Sequence, residues 1–523
     1  VSIPQSFSKI ILTLSHTSKN AQNPSPVSST DGSIGWYGLA AAKTQLEVHP
    51  DIKMVILTDT ATLGGTWSKD RLYPGLKTNN LLGALEFSDF PLTTERYGVK
   101  PGEYIPGDVV YRYLKDYAIH FDIYDKIRYG QRVLSAEHVN DGGWTLTVGA
   151  EVNGKSSETS TILASKLLVA TGMTSGEFVP ILPGREKFTA PFFHFKQLPK
   201  MQDTFETAKS VCVFGGAKSA YDVAYAYASK GIHVDWIIRK SGHGPGWMSH
   251  SYVTPLKLWV ERLVVVRFLT FMSPCIWGDK DGFGTVRNWL SNTTVGKFIV
   301  KRFWRQLQAD ILTSINYDAH PETAKLKPWS TVMHVGSMLS ILNHDTDILE
   351  LVRNDTISVH IGDIKDMAGN KLSLSNGEVV TTDAFISAAG WKYTPSIKFL
   401  PEGIDVGLPR PLASSEPDSY TIKADKEIFS KFPLLQQAKT HALRRVEPLD
   451  GTSDGQLEPY KLYRFMIPPA LARSRDIAFL GALTSISTPL LAQAQALVST
   501  PRPEVLIPIR KLHSLLPISG DNH

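Results

Sequence analysis

Two glycine-bearing turns contain the residue types and spacing that could do chemistry in this sequence. Gly215-Gly216-Ala217-Lys218-Ser219-Ala220 follows a short β-rich run, Ser210–Gly215 (SVCVFG), and opens an Ala/Tyr-rich stretch of helical spacing, Lys218–Lys230. The first glycine permits a tight turn, the small Ala217 lets the backbone approach a pyrophosphate, and Ala220 allows close contact between helix and strand. With Ser219 at its mouth, the turn would offer a phosphate the unpaired N–H groups and positive dipole end of a helix. The next strand, His233–Ile238, ends at Arg239-Lys240 rather than at the acid that would bond an NAD ribose. Two cations suit a 2′-phosphate, so the expected ligand is NADP(H). The competing reading of the same residues is a purely structural turn.

The other turn, Ser33-Ile34-Gly35-Trp36-Tyr37-Gly38, has Ser33 where G-x-G-x-x-G has its first glycine. A helix over Leu39–His49 and a strand over Lys53–Leu57 would complete the unit. Thr58 stands where the strand should end in a ribose-binding acid, with Asp59 one place later. No strand leads into the turn. The nearest β-rich segment is Lys9–Leu14, and polar, turn-forming residues occupy Asn20–Gly32. These residues alone leave open a dinucleotide site or a plain helix start.

The elements that must position these turns can be read from the rest of the chain. A length of 523 residues implies two or three domains, and 42% hydrophobic with 20% charged residues excludes a disordered or fibrous protein. The net charge of +5 is spread without a basic block, so nothing calls for nucleic acid. Cys212 and Cys275 cannot build a disulfide framework or a thiolate zinc site, which fits a reducing, cytoplasmic compartment. Ile10–Leu14 is too short for a signal-peptide core. The uncharged run Ile477–Pro501 holds Pro489, Gln493 and Gln495, and reads as strand, turn and helix rather than a membrane span. The apolar stretch Leu256–Gly278 is broken by Glu261, Arg262 and Arg267. It reads as amphipathic helix, packed in a core in the first place and otherwise resting peripherally on a membrane or against a substrate cavity. Strands are expected at Trp144–Val148, Lys166–Ala170 and Ala384–Ala388, and helix over Arg287–Leu312. Ala21–Gly32 and Ser499–His523 read as loop.

Longer motifs carry a resemblance. Gly64-Gly65-Thr66-Trp67, Arg71-Leu-Tyr-Pro-Gly-Leu-Lys-Thr-Asn-Asn80 and Phe87-Ser-Asp-Phe-Pro91 occur in order. Leu168-Val-Ala-Thr-Gly172, Ser241-Gly-His-Gly-Pro245, Ala389-Gly-Trp391 and Gly481-Ala-Leu483 follow. Together they resemble the flavin-containing monooxygenase family, and within it the fungal branch used in secondary metabolism. The family's F-x-G-x-x-x-H fingerprint stands as Phe188 to His194, with Ala190 for the glycine. The resemblance implies an α/β fold of two doubly wound, Rossmann-like domains, with an NADP domain inserted in a discontinuous FAD domain. The expected boundaries are an atypical segment 1–32, FAD domain 33–204 and 381–498, NADP domain 205–380 with a helical insertion near 250–345, and a tail 499–523. It also implies FAD at Gly35, Gly38, Asp59, Gly64, Gly65, Thr66, Trp67, Thr78 and Gly481, and NADPH at Gly215, Ala217, Ser219, Arg239 and Lys240. Asn79 would face flavin and oxygen as the catalytic residue. O₂ would form a flavin C4a-hydroperoxide, and one oxygen atom would pass to a hydrophobic, polyketide-like metabolite. Baeyer–Villiger relatives carry Asp at the Asn79 position, so oxygen insertion of that type is the nearest alternative.

The resemblance stops at Ser33 and at Leu497. Translated intron sequence would explain both breaks. So would a flavin-free descendant that isomerises, cyclises or only binds a metabolite. A phosphate-binding turn without its strand is expected to hold FAD weakly. Trp67 and Tyr73 read equally as core aromatics, His194 as a structural histidine, and Asp89 as a turn or cap residue.

Overall fold

The run Val211-Cys212-Val213-Phe214 has no polar residue to offer solvent, so its strand must be covered on both faces. The structure, a computed structural model, describes residues 12–13 and 34–500, apart from 141, 153–154, 254–255, 276–280, 335–338, 393, 411–418, 437–448 and 450–457. In it Ser210–Phe214 is the central strand of a five-stranded parallel sheet. The spatial order is Phe192–His194, Ala384–Ser387, Ser210–Phe214, His233–Ile238 and Ile357–Ile361. Helix Lys218–Ala228 crosses from the third strand to the fourth, and its Tyr221 and Tyr227 are fully buried with Trp236 of the sheet. Two of these strands lie outside the expected span 205–380. Phe192–His194 precedes it, and Ala384–Ser387, assigned from sequence to the flavin half, hydrogen-bonds to Ser210–Phe214 instead. All four residues of Ala384–Ser387 are buried, a demand that an inner position between two strands meets.

The N-terminal unit is built differently. Helix Trp36–Val48 packs on helices Gly107–His120 and Thr488–Ser499, and Gln45 Nε2 donates to Thr500 Oγ1 at 2.6 Å. Aromatic rings fill the space between them: Phe87 lies 5.0 Å from Trp36 and 4.2 Å from Tyr117. The Tyr113 hydroxyl closes the Phe87–Phe90 turn, accepting from the Phe87 amide at 2.7 Å and donating to the Phe90 carbonyl at 2.6 Å. The strands form two separate parallel pairs, Ile56–Leu57 with Ile127–Arg128 and Leu167–Val169 with Ile477–Phe479. Between the pairs lies a cavity of about 190 Å³, bordered by Ile34, Ala41, Val55, Leu57, Leu168 and Ala170. A single strand placed there would complete a five-stranded parallel sheet leading into the Gly35 turn. Leu12–Thr13, the described part of the nearest β-rich segment, pairs instead with Leu163–Ala164, so it does not supply that strand. Ser33 and Asn20–Gly32 lie outside the described residues.

An antiparallel sheet, Gln131–His138, Trp144–Val152 and Lys155–Ala164, stands beside the gap. The expected single helix over Arg287–Leu312 is two, Gly284–Asn292 and Thr294–Ile315. The break has a local cause. Thr293 Oγ1 caps the second helix by accepting from Gly296 N at 3.0 Å, and a Cβ on Gly296 would sit 2.4 Å from the Trp289 carbonyl. Within the amphipathic stretch, short helices cover Val260–Val265 and Leu269–Met272, with Leu256, Val265 and Phe268 exposed. Among the described residues no helix is long and apolar enough to cross a membrane.

Candidate active site

Four glycines meet at the N-terminus of helix Trp36–Val48. A Cβ on Gly35 would lie 3.3 Å from Gly65 Cα, and Gly64, at φ +123°, would drive one to 2.8 Å from Ser68 N. Gly481, at φ +75°, would push one 2.8 Å from the Tyr37 ring, while its amide donates to Gln495 Oε1 at 2.9 Å. Gly64 N donates to Ile34 O at 2.8 Å, which ties the Gly64-Gly65 turn to the helix entry. Gly35 gives the helix no side-chain cap, and no acid stands in the first turn, so the positive end of the helix is open to an anion. Gly38 faces Ile34 and Ala170 at the gap, whose border also includes Asp59. Thr66 Oγ1 lies 3.0 Å from Thr174 Oγ1, and Trp67 packs on the core beneath the helix.

The second turn is complete. Gly215, at φ +146°, runs so close to the next strand that a Cβ would stand 2.4 Å from Ala388 O. Gly216 accepts from Gly246 N at 2.7 Å, and the Trp236 indole donates to Gly215 O at 2.7 Å. Ala217 caps helix Lys218–Ala228 without a side-chain bond and is exposed, with Ser219 half-buried behind it. Arg239 leaves the fourth strand half-buried and donates to Ser241 Oγ at 3.4 Å; Lys240 is exposed. Burial and the Arg239 charge hold His243 below its ordinary value.

Strand Lys77–Leu81 ties the two turns together. Its Asn79 is half-buried, and Asn80 Nδ2 donates to Ile486 O at 3.1 Å, just beyond the Gly481 turn. Thr78, expected at the cofactor, is buried, with its hydroxyl engaged by Asn80 O at 2.6 Å and Ile105 N at 3.1 Å. That hydroxyl braces the strand. His194 has both nitrogens engaged: Nδ1 accepts from Lys196 N at 3.3 Å, and Nε2 donates to Gly390 O at 2.9 Å. Its ring lies against Trp391, and Arg71 covers the Trp391 face at 4.9 Å. Asp89 pairs with Lys43 at 2.6 Å. Two residues not expected at the site stand in it, Asn343 and Glu261. Asn343 Nδ2 donates to Thr78 O at 2.8 Å and to Lys77 O at 3.2 Å, across 265 residues of chain. Glu261, buried on the helical insertion, stands by Trp259, Leu81 and Asn80. Neither motif nor spacing marks them.

Comparison with known proteins accords with this geometry. A family model described as flavin-binding monooxygenase-like matches residues 34–280. An FAD-dependent monooxygenase of Pyrenophora dematioidea is 32% identical over 89% of this chain and 86% of its own length. The FAD-dependent monooxygenase resA of Aspergillus sclerotiorum is 31% identical over 89% and 82%. The chain therefore belongs to the flavin-binding monooxygenase-like family and is a flavin-dependent monooxygenase by class. Solved structures share the fold. The polycyclic ketone monooxygenase of Thermothelomyces thermophila aligns with TM-score 0.52 and 17% identity over 73% of this chain and 68% of that one. A closed crystal structure of cyclohexanone monooxygenase gives 0.51 and 16% over 72% and 73%.

Burial raises the Glu261 carboxyl from an ordinary value of 4.5 to about 7, with Trp259, Leu81 and Asn80 pulling the other way. An acid raised in the folded state keeps a proton that the unfolded chain releases, so stability falls as pH rises between these two values. The interval corresponds to at most about 3 kcal/mol. Glu261→Gln, neutral at every pH, should match the wild type in thermal unfolding at pH 4 and exceed it at pH 8. A difference that does not change with pH would contradict this.

Proposed function

We propose that this protein uses FAD and NADPH to place one atom of O₂ on a hydrophobic, polyketide-like secondary metabolite, the other atom leaving as water. The observation that carries this reading is the placement of strand Lys77–Leu81. Asn80 reaches the segment beyond the Gly481 turn, and the Thr78 carbonyl is held from the side of the Gly215 turn. The glycine cradle at Gly35, Gly64, Gly65 and Gly481 fits a dinucleotide pyrophosphate, because backbone approach and an uncapped helix end are what that anion needs. Gly215, Ala217 and Ser219 would hold the NADPH pyrophosphate, and Arg239 with Lys240 its 2′-phosphate. When bound, the reduced flavin supplies the electrons that activate O₂. This chain's residues hold the cofactors, exclude water and place an amide, Asn79, at the reacting oxygen.

Two further readings keep specific support. Arg239 could steady an oxygen anion in Baeyer–Villiger insertion, although Asn79 replaces the Asp of those relatives. A flavin-free binder or isomerase would draw on the gap that the described residues leave between Ile56–Leu57 and Leu167–Val169.

Two variants test the main reading. Each charge-assisted contact to a phosphate is worth about 1.5–3 kcal/mol. The double variant Arg239→Ala, Lys240→Ala should therefore lose at least about tenfold of the NADPH preference over NADH. An unchanged ratio contradicts the assignment. Asn79→Ala should keep oxidising NADPH while hydrogen peroxide rises and oxygenated product falls. Unchanged coupling would put the oxygen site elsewhere.

A further inference from the structure

Lys218 is the first residue of the helix behind the Gly215–Ala217 turn, yet its ammonium does not point to solvent. It is paired with Asp222 one helical turn on and donates to Asn343 Oδ1 at 2.7 Å. Asn343 is 4% exposed, and its Nδ2 reaches the carbonyls of Thr78 and Lys77, the two residues that precede Asn79. One amide therefore joins the second nucleotide turn to the strand that carries the candidate oxygen-facing residue.

The neighbours keep this link in one protonation state. His344 Nε2 lies 3.0 Å from Asp222 Oδ1, and burial holds His344 below its ordinary value, so the imidazole donates while neutral. Burial alone would raise Asp222, but Lys218 and His344 outweigh it and keep the carboxyl below its ordinary value. Tyr225 lies against His344, the two rings tilted with centroids 4.5 Å apart. Lys77 adds a second, exposed tether through its pair with Asp345.

We infer that Asn343 is a positioning residue that couples occupancy of the second nucleotide turn to the strand bearing Asn79. This rests on the cofactor reading above. A dinucleotide phosphate arriving at the turn competes with Asp222 for the Lys218 charge. Any shift of Lys218 is felt at Asn343 Oδ1, and the same planar amide grips the two carbonyls before Asn79. The coupling is reciprocal, because a free-energy link between two sites acts equally in both directions.

The test is the affinity of the full chain for NADP⁺, measured by calorimetry with and without saturating FAD. The wild type should show at least about a fivefold difference between the two conditions. Asn343→Leu removes donor and acceptor together. Asn343→Asp keeps an acceptor for Lys218 but turns an oxygen onto the carbonyls. Both should bring the ratio to about one while each nucleotide still binds, whereas Asp345→Asn should keep the wild-type ratio. Far-ultraviolet circular dichroism reports whether each variant folds, and a folded Asn343→Asp is sufficient if Asn343→Leu is not. A protein that binds neither nucleotide overturns the cofactor reading beneath this inference. One that binds both with a ratio of one, or variants that keep the wild-type ratio, overturns the coupling alone.

Discussion

A turn holds a phosphate most firmly when a strand aims the following helix at it, and in this respect the two described turns differ. In the second unit, Ser210–Phe214 runs straight into Gly215, with Ala384–Ser387 and His233–Ile238 hydrogen-bonded on either side. Both flanking strands fix the direction of the turn before any ligand arrives. In the first unit the same position, between Ile56–Leu57 and Leu167–Val169, is a cavity among the described residues. The Gly35 turn is held there by other means: the Gly64 amide on Ile34 O, the close passage of Gly65, and Tyr37 against Gly481. Among the described residues it is these contacts, and no strand, that preserve the shape of the cradle.

The strand Lys77–Leu81 depends on both units. Thr78 braces it internally through Ile105, Asn80 ties it to Ile486, and Asn343 grips it from the side of the Gly215 turn. Asn79 is thereby held by neighbours that answer to different parts of the fold. Buried polar groups so bound are costly to rearrange singly, by about 1–3 kcal/mol for each bond left unmade. Motion at this strand is therefore expected to be concerted.

Much of this was legible in the sequence, for reasons that differ by element. The Gly215 turn was readable because strand, glycine and helix are contiguous, so local pattern and tertiary role coincide. The strand expected over Ala384–Ala388 was readable as a strand but not as belonging beside Ser210–Phe214, because a local β-rich run says nothing about which sheet takes it. The helix over Arg287–Leu312 read as continuous since Thr293 and Gly296 break it through a cap and a close helix–helix passage rather than through a proline. Gly64 and Gly481 were found only through the family resemblance. Their need for glycine arises from contacts with Ser68 and Tyr37 in three dimensions. Thr78 was expected at the cofactor, and its hydroxyl is engaged by Asn80 O and Ile105 N. Asn343 and Glu261 act across long sequence separations; Asn343 left no local mark, and Glu261 was read only as a charge breaking an apolar stretch.

The two turns differ in how firmly the fold supports them, and flavin retention reads that difference. The full chain is saturated with FAD, passed through gel filtration and assayed for bound flavin by absorbance, and the same protein is then titrated with NADP⁺. The first turn, which no strand among the described residues enters, should release FAD, leaving well under one flavin per chain, while the preformed second turn titrates with NADP⁺ to a single site. One FAD retained per chain through the column would contradict the account, since it would show the first turn to be as well supported as the second.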